Sequence, residues 1–200
     1  MILESAGVSP DIHPDAWVAP DATVCGNVRI GAGSRIAHGA RVIAEDGGRI
    51  EIGAYCIVLE NAVVRATSRH DCRIGDHSLV GPNTHVVGAR LADRVFVATG
   101  ASVFHGARLD ANVEVRINGV VHIDTHLREG ATVPIGWVAV GTPAELFSAD
   151  RHDEIWARQK PLDFPRRVYG VERDDADPMA RITQTMSAAL GRHRSDSAAS

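Results

Sequence analysis

The stretch from Ile74 to Leu109, read as IGDHSL, VGPNTH, VVGAR, LADRVF, VATGAS, VFHGAR and a closing L, places an aliphatic side chain at nearly every sixth position. One turn, Val86 to Arg90, holds five residues. Outward from this stretch the period runs back through Ile52, Ile36, Ile30, Val24, Val18 and Ile12. It runs forward through Val115, Val121, Leu127 and Val133, so Ile12 to Val140 is one repeat array. A helix needs apolar residues every three or four positions and a half-buried strand alternates at two; neither pattern dominates. Six-residue spacing, with a small residue four places after each aliphatic, fits a parallel β-helix. Each hexad is then a short strand plus a corner, and three hexads make a triangular coil of about 18 residues. The aliphatics point inward and stack, with coils about 4.8 Å apart, so the expected class is an all-β solenoid.

Composition agrees. The chain has 200 residues, and the repeat fills about two thirds of it without a linker, which reads as one solenoid plus a tail. A formal charge of −4 and the lack of a Lys/Arg block argue against nucleic-acid binding. No apolar run is long enough to cross a bilayer, and no basic-then-apolar segment opens the chain, so a cytoplasmic protein without membrane association is expected. Cys25, Cys56 and Cys72 are odd in number and lack CxxC spacing, which favours free thiols.

Two interruptions break the hexads, at Ala44 to Ile50 and at Ala66 to Arg73. Counted in coils, both fall on the face that also carries the shortened Val86 turn. Interruptions are where side chains leave a repeat and build sites.

The order DAWVAPDATVCGNVRIGAGSRI, then IEIGAYCIVLENAVVR, then IGDHSLVGPNTHVVGARLADRVFVATGASVFHGARL and the closing VPIGWVAVGTPAEL resembles the γ-class carbonic anhydrase-like proteins of the hexapeptide-repeat acyltransferase superfamily. The resemblance covers about residues 8 to 147. It implies a left-handed β-helix, a homotrimer, and active sites between subunits. It also implies three zinc-binding histidines, at positions where this chain has Arg65, Pro82 and Val87. None of these three supplies a zinc donor, so neither zinc nor carbon dioxide hydration is expected. The family's Arg-Gly-Asp reads Ile43-Ala44-Glu45 here, and its Gln-Asp-Asn reads Leu59-Glu60-Asn61.

Coil counting puts His38, Glu60, Pro82 and Thr99 in one column. Ile43, Arg65, Val87 and Phe104, with His105 beside it, form another. The functional reading is a repurposed site, with His38, Glu60 and His105 as catalytic acid-base groups. Glu45, Asn61, Arg65 and His70 would bind substrate, Arg65 taking a carboxylate or phosphate. The structural reading makes Glu60 and Arg65 an ion pair and lets the histidines cap corners. A metal held by His70, Asp71 and Cys72 is a weaker idea, since adjacent loop residues rarely converge on one ion. His85 and His126 end hexads and are expected to face solvent. The repeated Gly-Ala-Arg at 39–41, 88–90 and 106–108 suggests either an anion strip or solubilising corners.

After the solenoid, a helix is expected from Ser148 or Asp150, with Ile155 and Trp156 on its apolar side and Pro161 and Pro165 ending it. Asp177 and Pro178 open a second helix that Gly191 closes. The chain thus divides into a solenoid at 1–147, a helical segment at 148–191 packing on it or on a neighbouring subunit, and a disordered tail at 192–200. By superfamily analogy the expected activity is acyl transfer or hydrolysis at a subunit interface, with a CoA thioester as the cosubstrate the resemblance would supply. The alternatives are a metal-free trimer binding a small anion or a partner, and a metal hydrolase or lyase with atypical ligands.

Overall fold

The computed structural model describes residues 1–45 and 47–199; Asp46, in the first expected loop, and Ser200 lie outside them. The chain winds into a parallel β-helix of about 8 turns followed by two short helices. Three sheets run along it. Face one stacks Val24, Val42, Val64, Val86, Val103 and Val121 in register. Face two stacks Ile12, Ile30, Ile52, Ile74, Leu91, Leu109 and Leu127. Face three stacks Val18, Ile36, Val58, Val80, Val97, Val115 and Val133. Apart from Ile12 and Val18 in the first coil, these side chains are buried and form one linear core, as the hexad register requires.

The corners explain the small residues. Ala40, Ala62, Ala101 and Ala107 are fully buried where a larger side chain would strike the next coil. Where a hydroxyl replaces alanine it is satisfied: Ser34 Oγ donates to the Gly53 carbonyl and accepts from Cys56 N. Cys56 and Cys72 are buried thiols, raised above the ordinary range chiefly by that burial, Cys72 to about 12.

Coil length varies only at the corner between faces one and two. Val24 to Val42 is a regular coil, Val42 to Val64 and Val64 to Val86 are each four residues longer, and Val86 to Val103 is one shorter. Both interruptions and the short turn therefore sit together, as the coil count predicts.

The outer surfaces differ by face. Face two points Asp11, Arg29, Glu51, Arg73, Arg90, Arg108 and His126 outward, a charged surface suited to water. Face three points Trp17, Arg35, Ile57, Leu79, Phe96, Glu114 and Thr132 outward, more apolar than face two in its middle coils, and Ile117 and Ile135 are exposed in the later coils. Face one is covered by the chain's own C-terminal segment.

That segment departs from expectation in detail. Strand Glu145–Phe147 folds back antiparallel on Val138–Val140 and closes the last coil of face one. Helix α1, His152–Gln159, starts slightly later than expected; Ile155 is buried, while Trp156 is exposed and carries the Arg173 guanidinium over its ring. Pro165 does not simply end it but opens a further helical turn, Pro165–Tyr169, because proline is tolerated at a first helical position. Helix α2, Pro178–Gly191, is capped by Asp177, whose carboxylate accepts from Ala180 N at 3.0 Å. The stretch expected as a disordered tail holds two short elements within residues 192–199. Arg192–Ser195 forms a short 3-10 turn and Ser197–Ala198 pairs antiparallel with Ile2–Glu4. The physical reason is the open edge of the first coil, whose unpaired N–H and C=O groups accept a strand whatever its side chains. Among the described residues no helix is long and apolar enough to cross a membrane.

Leu91, buried at the coil where the short turn rejoins the register, tests the linear core. Leu91→Ala is expected to lower unfolding free energy by about 2–5 kcal/mol in a urea titration, through lost burial plus a cavity the ladder cannot close.

Candidate functional site

Strand Val63–Ala66 alternates, with Val64 and Ala66 buried inward and Val63 and Arg65 outward. The ladder sets Arg65 beside Val87 and Ile43, and His85 beside Val63 and Ser102. Arg65, His85, Val87 and Phe104 thus share one outer strip of face one, with His105 at its corner. Glu45, from the end of the preceding coil, pairs with Arg65 through Oε1 and Nη2. These residues floor a cavity of about 380 Å³. Its walls come from the C-terminal segment: Phe164, Val168 and Tyr169, then Thr185, Met186 and Ala189 of α2.

The second loop adds His70. Thr67 and His70 exchange backbone hydrogen bonds of 3.0 Å each, and this tight turn throws the imidazole back over Gly88. His70 and His105 meet edge to face at 5.3 Å. Gly88 makes the approach feasible. Its φ is +56°, and a Cβ there would lie 2.5 Å from His70 Cβ and 3.2 Å from His105 Cδ2.

Several polar atoms here are buried without a hydrogen-bond partner: both His70 nitrogens, His105 Nδ1, His85 Nε2 and Arg65 Nε. Burial is the main reason that His70, His85 and His105 all titrate below the ordinary imidazole range. His105 falls to about 4, helped by His70, Arg65, His85 and Arg167. At neutral pH these rings are uncharged, each with a nitrogen lone pair available.

A second, polar cavity of about 290 Å³ adjoins the first through Ser68 and Arg69. His70, Arg69, Arg90, Arg108 and Arg167 line it. Arg167 grips Asp124 with two bonds of 2.6 and 2.7 Å and holds that carboxyl below its usual range. Of the three Gly-Ala-Arg arginines, Arg90 and Arg108 are register neighbours at this cavity, whereas Arg41 caps the Gly39 carbonyl on another face.

Glu45, Arg65 and His105 line the apolar cavity and His70 adjoins them. His38, Glu60 and Asn61 stand elsewhere, on the corner between faces three and one. His38 bonds Asp21 at 2.6 Å, and Asn61 turns that corner with a positive φ, packed over Gly39. The partner of Arg65 is Glu45, not Glu60, because Glu45 shares its side of the coil. His85 is partly covered rather than solvent-facing, since α2 lies over face one; His126 bonds Asp110 at 2.9 Å. His70, Asp71 and Cys72 point apart: Asp71 accepts from Arg49 N and Cys72 is in the core. The sequence reading missed the walls Phe164, Tyr169 and Met186 and the arginines Arg69 and Arg167. Nothing in their local sequence marks them; only the fold-back of the tail brings them in.

A zinc ion finds no donor in Arg65, Pro82 or Val87, and the fixed guanidinium charge would repel it. Among the described residues, His70, His85 and His105 do not gather their nitrogens to the spacing of a common ion.

Gly88→Ala is expected to destabilise the fold by about 1–3 kcal/mol through left-handed strain, and to part the two rings, visible as shifts of both histidine signals in NMR spectra. The imidazoles also set an acid limit. Above pH 6.5 they are neutral in both states. Below it the unfolded chain takes up protons that the native chain refuses, so stability falls from 6.5 towards 4, where His105 itself protonates. His105→Phe is expected to show a shallower loss between pH 7 and pH 5 by chemical denaturation.

Comparison with known proteins places these features. Residues 9–44 match the family model "Bacterial transferase hexapeptide (six repeats)". The chain is 29% identical over 178 residues to "Gamma carbonic anhydrase 1, mitochondrial" of Arabidopsis thaliana, covering 86% of this chain and 62% of that protein. It is 34% identical over 122 residues to the "Carnitine operon protein CaiE" of Salmonella agona, covering 52% of this chain and 62% of that one. The chain therefore spans under two thirds of either relative. Among solved structures, PerB from Caulobacter crescentus in complex with CoA and GDP-perosamine aligns with 27% identity and a TM-score of 0.44, over 70% of this chain and 58% of that one. Hexad register, the matched family model and these relatives together make the chain similar to the hexapeptide-repeat proteins and, among them, to the γ-class carbonic anhydrases.

Proposed function

We propose that the chain transfers or hydrolyses an acyl group carried as a thioester of the CoA type, without zinc, in the cavity between Arg65 and His105. The observation that carries this reading is the pairing of two adjoining cavities. One is apolar with uncharged imidazoles; the other is lined by four arginines against two carboxylates, Asp71 and Asp124, the latter paired with Arg167. A CoA thioester has the matching two ends, a phosphate-rich one for Arg69, Arg90 and Arg108 and an apolar acyl one for Phe104, Phe164 and Met186.

His105, with a free Nδ1, takes a proton from the attacking hydroxyl, amine or water as that oxygen or nitrogen bonds the thioester carbon. Arg65 Nε–H, otherwise unpartnered, donates to the carbonyl oxygen as it gains charge. The carbon–sulfur bond then breaks and the thiolate recovers the proton. A base near 4 is weak, so more of the barrier reduction falls to Arg65.

The site belongs to a homotrimer in this reading. Face two is charged and face one is covered by the chain itself, which leaves face three, where Ile57, Leu79 and Phe96 run together and Arg35 separates them from Trp17, for subunit contact. The corner carrying His38 and Glu60 borders that face, and a neighbouring subunit would bring it towards the cavity.

Release of free thiol from acetyl- and longer acyl-CoA, with and without amine acceptors, tests the proposal. Turnover is expected, with an acid limb near pH 4 rather than 6.5 and a loss of about 10²–10⁴-fold in His105→Ala. CoA binding without turnover would instead support the second reading favoured by the arginine cavity, an anion-binding trimer. Neither binding nor turnover would overturn both.

A further inference from the structure

At the N-terminal edge of the solenoid, two coils along face one from Arg65, three chemically matched groups from distant parts of the chain converge. Cys25 is buried at the end of strand Thr23–Cys25 of face one, beside the edge strand Ile2–Glu4, His193 lies in the 3-10 turn Arg192–Ser195, and Asp196 follows it. Cys25 Sγ lies 3.3 Å from Asp196 Oδ2, and His193 Nδ1 lies 2.7 Å from the same oxygen. All three ligating atoms fall within 4.8 Å of one another, and among the described residues this is the only such group. The Asp196 side chain is only 8% exposed, and its other oxygen, Oδ1, is buried without a hydrogen-bond partner.

We propose that Cys25, His193 and Asp196 form a binding site for one zinc-type dication, which fastens the C-terminal strand to the first coil. The donor set of one sulfur, one imidazole nitrogen and one carboxylate oxygen is borderline-soft and suits zinc better than calcium or magnesium. The geometry is close: ligands at about 2.0–2.3 Å from a tetrahedral zinc stand about 3.5 Å apart, so the sulfur–oxygen spacing already fits and the nitrogen–oxygen spacing opens by under about 1 Å. Charge balances as well. The ion displaces the thiol proton, and thiolate plus carboxylate then neutralise the dication, so the part-buried site carries no net charge. The Ser5 hydroxyl stands beside both Cys25 and Asp196, and its oxygen or a water would be the fourth ligand.

The consequence is mechanical. Ser197–Ala198 pairs with the first strand immediately after Asp196, and α2, a wall of the cavity, ends two residues before His193. An ion here holds both ends of that connection, and its loss frees the tail and loosens α2.

Full-length protein stripped with chelator and titrated with Zn²⁺ or Co²⁺ tests this. Elemental analysis after dialysis is expected to give one zinc per chain, and Co²⁺ is expected to show a thiolate-to-cobalt charge-transfer band in the near ultraviolet. Zinc is expected to raise the thermal midpoint of the wild-type chain. Cys25→Ser and His193→Ala should each lose the band, the stoichiometric ion and the zinc-dependent rise. His193 is partly exposed, so its variant keeps the test sound if Cys25→Ser fails to fold. No stoichiometric metal in the wild-type chain, or undiminished binding in folded His193→Ala, would overturn the proposal.

Discussion

Everything in this molecule depends on the stacking of one aliphatic side chain per hexad onto the equivalent side chain of the next coil, with the parallel backbone ladder holding them in line. Because each coil touches only its neighbours, the core has no centre and no fixed length. Its constraint is instead one of register: an inward aliphatic side chain must meet an inward aliphatic side chain on the next coil. Within that constraint extra residues can be added at corners and nowhere else, and both added loops obey it.

The candidate site is a by-product of this rule. Lengthening two successive coils at the corner between faces one and two lifts Glu45 and His70 off the regular surface, and shortening the next coil sinks Gly88 beneath them. The pocket that results is closed by α2 and the turn Pro165–Tyr169, which also shield the histidines from water. Their loss of basicity is therefore a property of the tail as much as of the solenoid: without that cover, His105 would regain much of its hydration.

How far the sequence was legible follows from the same distinction. Coil counting placed Arg65 beside Val87 and put His105 at the next corner, because a strictly periodic fold converts sequence separation into spatial position. It placed His38 over Glu60 in the same way, yet could not say that His38 would bond Asp21, since that contact depends on which way a corner side chain turns. The reading of His85 as solvent-facing failed for a different reason. Its position on the face was right, but the cover over that face comes from residues about a hundred positions later.

The scaffold, the location of the irregular corners and the lack of a zinc donor in Arg65, Pro82 and Val87 are all legible in the order of the residues. Each of these is local or strictly periodic. What faces the cavity, which imidazoles are held uncharged by burial, and the meeting of Cys25, His193 and Asp196 at the edge of the first coil emerge only in three dimensions. These depend on where the aperiodic C-terminal segment folds back. No repeat fixes that path; it is set by the open backbone edge and the uncovered face that the solenoid leaves for it.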